Sequence, residues 1–128
     1  MNLVKNAISW FEIPVLDFDR AKKFYSAIFN YEMPEMEMGP FQMGILPHDQ
    51  QGHGVGGAII FGEGYHPAGA NGARVYLNAG DDLNEVLERV PAAGGIITMA
   101  KTEIAPDMGF MAFFDDLEGN NVGLYSSK

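Results

Sequence analysis

Two stretches of this sequence, residues 5–62 and 72–127, follow one plan. Superposing Asp17 on Asp82, 65 positions further on, pairs Phe18 with Leu83, Ala21 with Val86 and Tyr25 with Val90. Few residues are identical, but element order and apolar spacing both recur, as expected of an internal repeat. In the first copy, Ala7 to Ile13 is rich in aromatic and β-branched residues and stops at Pro14, which predicts a strand. Asp17 can cap a helix on which Phe18, Ala21, Tyr25 and Ile28 share one face. Three strands are expected after it, at 31–38, 42–46 and 55–61, broken by Gly39-Pro40 and a polar, Gly-rich loop. The second copy predicts a strand at 73–79 and a helix marked by Leu83, Val86, Leu87 and Val90. Asp82 would cap this helix, with Glu85 placed to return a hydrogen bond to the cap's amide, and Pro91 and Gly94-Gly95 would end it. Strands at 96–104, 110–114 and 121–126 complete the copy.

One helix laid on four strands leaves the other face of the sheet apolar and bare. Two such units must bring those faces together or wrap them into a half-open barrel with the helices outside. The expected fold is therefore α+β, two βαβββ repeats in a single domain spanning 1–128, with a concave interior as the natural place for a ligand.

Charge and cysteine count remove whole classes of function. Eight Lys and Arg against 17 Asp and Glu give a net charge of −9, and no basic cluster exceeds Lys22-Lys23. Phosphate backbones and anionic membranes would be repelled, so neither a nucleic acid nor a membrane is an expected partner. With no Cys there is no disulfide, thiolate nucleophile, iron–sulfur cluster or thiolate zinc site. The N-terminus has no apolar signal region and no window approaches 18 apolar residues, which leads to an expected cytoplasmic location.

Trp10-Phe11-Glu12-Ile13-Pro14-Val15-Leu16-Asp17, then Arg20-Ala21 and Phe24-Tyr25, resembles the vicinal oxygen chelate superfamily of glyoxalases, bleomycin-resistance proteins and dioxygenases. Ala92-Ala93-Gly94-Gly95 and the final Phe114-Asp115-Asp116-Leu117-Glu118-Gly119-Asn120-Asn121 extend the resemblance over nearly the whole chain. Within it, the chain is most similar to lactoylglutathione-lyase-related proteins of unassigned function. The resemblance implies a homodimer. It also implies that metal-using members place one His, Gln or Glu on each of four strands, where the ion polarises a carbonyl as a Lewis acid. The matching positions here, seven residues before each capping Asp and on the last strand of each copy, are Trp10, Ala58, Val75 and Gly123. None carries a metal-binding side chain, so no metal and no other cofactor is expected, and glyoxalase I chemistry by the usual mechanism is not expected either.

Chemistry then rests on what else faces the interior. Strand alternation puts Glu12 on the same face as Trp10, while Phe11 and Ile13 turn toward the helix. A carboxylate in an apolar pocket is a candidate general acid or base, so Glu12 is the candidate catalytic residue, against the plainer reading that it pairs with Arg74, Lys101 or Asn121. Trp10, Glu12, Asn121 and Tyr125 form the expected ligand-binding set, against the plainer reading that the aromatics are core. Met33, Met36, Met38 and Met43 suit an adaptable apolar wall or simple gap-filling. His48, His53 and His66 match no metal spacing, the Asp115–Asn120 run is too short for a calcium loop, and glycines 52, 54, 56 and 57 lack a dinucleotide fingerprint. The expected function is binding of a small organic molecule without metal, with possible Glu12-assisted proton transfer. The alternatives are a metal-dependent lyase or dioxygenase using Glu12, His53 or His66, and an interaction domain whose cavity falls below roughly 300 Å³.

Overall fold

Each copy of the repeat builds its own four-stranded sheet, as seen in a computed structural model that describes residues 3–128. In chain order the first copy comprises β1 (Trp10–Pro14), α1 (Phe18–Phe29), β2 (Glu35–Met38), β3 (Phe41–Ile45) and β4 (Gly56–Phe61). The second comprises β5 (Tyr76–Asn78), α2 (Asn84–Leu87), β6 (Ile96–Glu103), β7 (Phe110–Asp115) and β8 (Asn121–Ser126). The sheet orders are β1-β4-β3-β2 and β5-β8-β7-β6. The first strand of each copy runs parallel to the last, and all other neighbours are antiparallel. The α+β class and the βαβββ repeats are as the sequence predicts. The two sheets remain separate ladders and close no barrel within the described residues.

Local chemistry explains most element ends. Asp17 Oδ1 accepts the Arg20 amide (3.1 Å) to start α1, and Asn30, at φ 52°, ends it in the left-handed conformation that Asn tolerates. The second helix is shorter than expected. After Leu87 the bonds tighten, Arg89 N–H to Val86 O (3.0 Å) and Val90 N–H to Leu87 O (3.1 Å), because Pro91 disfavours the helical conformation at Val90. Asp82 caps two residues on rather than three: its Oδ1 accepts the Asn84 amide (3.0 Å) and the Lys101 ammonium (2.8 Å), and the Glu85 amide donates to Asp82 O (3.2 Å) in place of the expected capping box. Three strands are also shorter than their β-favouring stretches. β1 starts at Trp10, opposite the first residue of β4, β2 excludes Tyr31 to Pro34, and β5 keeps only the three residues that pair with β8.

A single core joins the copies. Ile13, Val15, Phe24, Tyr25, Ile28 and Ile59 of the first pack in one cluster with Leu77, Leu83, Val90, Phe114, Val122 and Leu124 of the second. The Phe24 ring lies 5.0 Å from that of Tyr25 and 5.9 Å from that of Phe114. A polar seam reinforces the junction. Tyr25 donates to Asp116 Oδ2 (2.8 Å), Arg20 to Glu118 Oε1 (3.1 Å), the Leu16 and Asp17 amides to the Glu118 carboxylate (3.0 and 3.1 Å), and Asn120 Nδ2 to Pro14 O (3.0 Å). No helix among the described residues is long and apolar enough to cross a membrane.

Each sheet therefore shows one face to this shared core and the alternate face away from it. In the first sheet that open face carries Met43, Ala58 and Ile60, with Phe41, Ile45 and Tyr65 packed on them. In the second it carries Tyr76, Gly123, Phe113 and Tyr125. Register corrects one sequence-based placement. Glu12 pairs with Ala58, and Tyr76 pairs with Gly123, so the offset is 64 residues at β1/β5 although it is 65 at β4/β8. Val75 turns inward and packs against the core, and Arg74, 64 residues after Trp10, takes the open-face position expected for Val75, while Tyr76 is the counterpart of Glu12. The extra residue lies between Leu77 and Asp82, where Gly80 turns at φ +81°.

Candidate functional site

The alternation of β1 fixes the first part of the site. Phe11 and Ile13 pack inward, so Trp10 and Glu12 share the open face. Both Glu12 oxygens are held: Tyr65 donates its hydroxyl to Oε1 (2.9 Å) and Trp10 donates its indole N–H to Oε2 (3.3 Å). Tyr65 comes from the segment after β4 and stands edge-on to Phe41, ring centroids 5.5 Å apart. Its hydrogen bond to the Glu12 carboxylate, then desolvation and the nearby negative charge, raise its phenol above the usual range, so it stays a protonated donor at neutral pH. Neither cation considered as a Glu12 partner reaches it. Arg74 Nε donates to Asn121 Oδ1 (2.9 Å), and Lys101 is engaged by Asp82 (2.8 Å).

Glu12 and Asn121 meet across a cavity of about 180 Å³ between β1 and the β5–β8 pair, walled also by Pro14, Gly69, Val75 and Val122. That is smaller than the roughly 300 Å³ of a typical small-ligand pocket. Two larger hollows, about 380 Å³ beside Tyr31, Glu32 and His48 and about 470 Å³ beside Lys22, Asn30 and Glu32, lie away from Glu12. Asn121 is braced by its own amide, which donates to Asp115 Oδ1 (3.0 Å) and Thr98 Oγ1 (3.2 Å). The structure thus brings Glu12 and Asn121 together and leaves Trp10, 41% exposed, at the rim. Tyr125 is apart from them: its hydroxyl donates to Met108 O (3.2 Å) and its ring packs beside Gly109.

The open-face positions that correspond to metal ligands carry the Trp10 indole, the Ala58 methyl, the Arg74 guanidinium and the side-chain-free Gly123. This set does not fit a divalent metal, which needs several imidazole or carboxylate donors converging at about 2 Å. Glu12 is the lone carboxylate beside it. His48 Nδ1 lies 3.1 Å from Leu46 O and its ring rests on Gly56, while His53 adopts φ 59° in the loop. No group of three or more His, Asp or Glu among the described residues is placed to hold a metal ion.

Three contributors escaped the sequence reading. Tyr65 lies in a Gly-rich stretch with no periodic signal. Tyr76 was hidden by the one-residue change of offset. Arg74, weighed in the sequence only as a partner for Glu12, lies just before β5 and stacks its guanidinium over the Phe113 ring of β7, 3.8 Å from the centroid, a contact no local pattern announces.

Comparisons with known proteins agree with this architecture. A family model described as "Bleomycin resistance protein-like N-terminal" matches residues 8–43. A "Glyoxylase-like domain-containing protein" of Didymella fabae is 32% identical over 117 residues, covering 88% of each chain. Among solved structures, a glyoxylase/bleomycin resistance protein/dioxygenase domain from Frankia sp. EAN1pec superposes with a TM-score of 0.68 at 18% identity, covering 98% of this chain and 94% of that one. Glyoxalase I from Zea mays superposes with a TM-score of 0.69 at 18% identity, covering 92% of this chain but 43% of the longer maize chain.

Proposed function

From the premise that this chain belongs to the glyoxalase/bleomycin-resistance/dioxygenase superfamily, we propose that it binds a small organic molecule on the open sheet faces around Glu12, without the metal its relatives can use. The observation that carries this reading is the Glu12 carboxylate, oriented at both oxygens by Tyr65 and Trp10 and facing Asn121 across the cavity. Glu12 is the group to exchange a proton with the ligand, and Tyr65 keeps its carboxylate aimed while that happens. Trp10 supplies a flat wall and Asn121 a polar contact. Tyr125, with its hydroxyl committed to Met108, contributes an apolar edge.

The 180 Å³ cavity is one side of a site rather than a whole one, and a second copy of the chain is the partner that would enclose it. Trp10, Tyr76, Ile96 and Tyr125, all on open faces, are 41%, 46%, 64% and 36% exposed, the apolar surface that a second copy would cover.

The test is a thermal-shift screen of small organic acids, aldehydes and aromatics, followed by titration of any hit against wild type and Glu12→Gln. The substitution keeps shape and removes the charge, so affinity should fall about tenfold or turnover should vanish. Unchanged behaviour removes Glu12 from the site. In parallel, protein incubated with nickel, zinc, cobalt and manganese and then desalted should retain almost no metal. About one ion per chain would overturn the metal-free reading and favour a metal-dependent lyase or dioxygenase.

A further inference from the structure

We propose that the open face of the second sheet holds a carboxylate subsite, formed by Arg74 beside Tyr76, and that its ligands are flat organic acids. The proposal rests on the open-face reading above and names the ligand class for it.

Arg74 differs from the other cations of this acidic chain in being held in place without an ion pair. Lys5, Lys23 and Lys128 also make no ion pair among the described residues, but their ammonium groups make no hydrogen bond there either. Arg20, Lys22 and Lys101 are matched with Glu118, Glu35 and Asp82 at 3.1, 2.7 and 2.8 Å, and Arg89 donates to Ile28 O (3.1 Å) at the end of α1. Arg74 has no carboxylate partner among the described residues. It is nonetheless fixed in place. Its guanidinium lies 3.8 Å from the centre of the Phe113 ring, and its Nε donates to Asn121 Oδ1 (2.9 Å), an amide itself braced by Asp115 and Thr98. Stacking and one hydrogen bond set the plane of the fork while both terminal amino groups make no hydrogen bond among the described residues. A preorganised fork with free parallel N–H donors is the geometry that takes a carboxylate at two points. In a chain of net charge −9 no diffuse attraction for anions exists, so any anion affinity must come from such a local site.

The flat part of the ligand has a floor next to it. The Tyr76 ring lies over Gly123, where an added Cβ would come within 2.6 Å of the ring, and meets Phe113 edge-on at 5.9 Å. With Tyr76 46% exposed, part of its ring is open to an aromatic guest. Asn121, which accepts from Arg74, also lines the cavity that Glu12 lines, so the two subsites share this residue.

Benzoate and its neutral isostere benzamide test this, titrated into ¹⁵N-labelled wild type and Arg74→Gln with amide shifts followed at Tyr76, Asn121 and Gly123. Arg74 is exposed, and a thermal melt checks that the variant is folded. Wild type should bind benzoate about tenfold or more tightly than benzamide, and Arg74→Gln should erase that preference. Equal binding of the two by wild type, or a preference that survives in Arg74→Gln, overturns the carboxylate subsite. Inorganic phosphate displacing benzoate at matched concentration overturns the flat-acid class in favour of a general oxyanion site. If benzamide binds these amides as well as benzoate does, the open face remains a ligand site and only the subsite fails. If neither compound moves them, both readings fail.

Discussion

The same small residue has two different jobs on the two faces of this fold. Gly57 and Gly123 each lie under an aromatic ring: a Cβ on Gly57 would stand 2.3 Å from Phe11, and one on Gly123 would stand 2.6 Å from Tyr76. Phe11 is half-buried and packed against the shared core, whereas Tyr76 is on the open face and can swing outward. Gly57→Ala should therefore overpack the core and cost about 1–3 kcal/mol of stability. Gly123→Ala should change stability by less than about 1 kcal/mol, since displacement of the ring is offset by a less flexible unfolded chain, but it should weaken binding of aromatic ligands. Urea unfolding of both variants reads this directly, and equal losses would mean that Tyr76 is as fixed as Phe11. The sequence shows Gly57 only as part of a Gly-rich run and Gly123 only as a position without a metal-binding side chain; the ring over each depends on a register that local spacing leaves one residue in doubt, as Val75 and Arg74 show.

At the level of elements, the turn from β7 to β8 acts as a latch on α1. Asp116 accepts the Tyr25 hydroxyl, the Glu118 and Asn120 amides (both 2.9 Å) and the Asn120 side chain (3.0 Å). Burial raises its carboxyl above the usual value of 3.8, and these hydrogen bonds offset only part of the shift. The folded protein thus holds this proton more tightly than the unfolded chain does. From the unfolded value near 3.8 up to the raised folded value, the folded state carries the extra proton, so this group's contribution to stability falls as pH rises through that window. Melting curves of wild type and Asp116→Asn between pH 4 and pH 7 should show wild type losing ground to the variant as pH rises, and parallel curves would contradict the assignment. Tyr25→Phe removes one buried donor and should cost about 1–3 kcal/mol. Element order, the α1 face of Phe18, Ala21, Tyr25 and Ile28, and the Asp17 cap were all legible, because each is written in contacts a few residues apart. The early end of α2 and the brevity of β5 were not. Pro91 signals a disturbance without saying that it reaches back to Leu87, and the length of β5 is set by its pairing with β8, over forty residues on.

For the whole molecule, area is the informative quantity. A typical folded monomer of this mass exposes about 6,700 Å², and this chain exposes 7989 Å², a surplus of about 1,300 Å². Part of it lies in the extended segment before β1, where Leu3 and Val4 are 92% and 74% exposed, and part on the open faces. Repeat logic led to the expectation that the bare sheet faces meet each other or wrap into a half-open barrel with the helices outside. Burying the helix sides in one common core and burying the open sides face to face satisfy the same alternation, so only the structure shows that this chain takes the first course and leaves the open faces to something else. A second copy is the partner that the same surfaces can meet by two-fold symmetry, removing about 800 Å² from each chain in an interface of ordinary size. Such an interface would have to be apolar at its centre, because two chains of charge −9 repel at long range, and added salt should tighten it. Light scattering on the eluting protein should give twice the chain mass of 14.0 kDa, and the melting temperature should rise with protein concentration, as it does when only the folded dimer is stabilised by mass action. A single-chain mass with a concentration-independent melt would overturn the dimer, and would leave the 180 Å³ cavity between Glu12 and Asn121 as the whole of the site rather than one side of it.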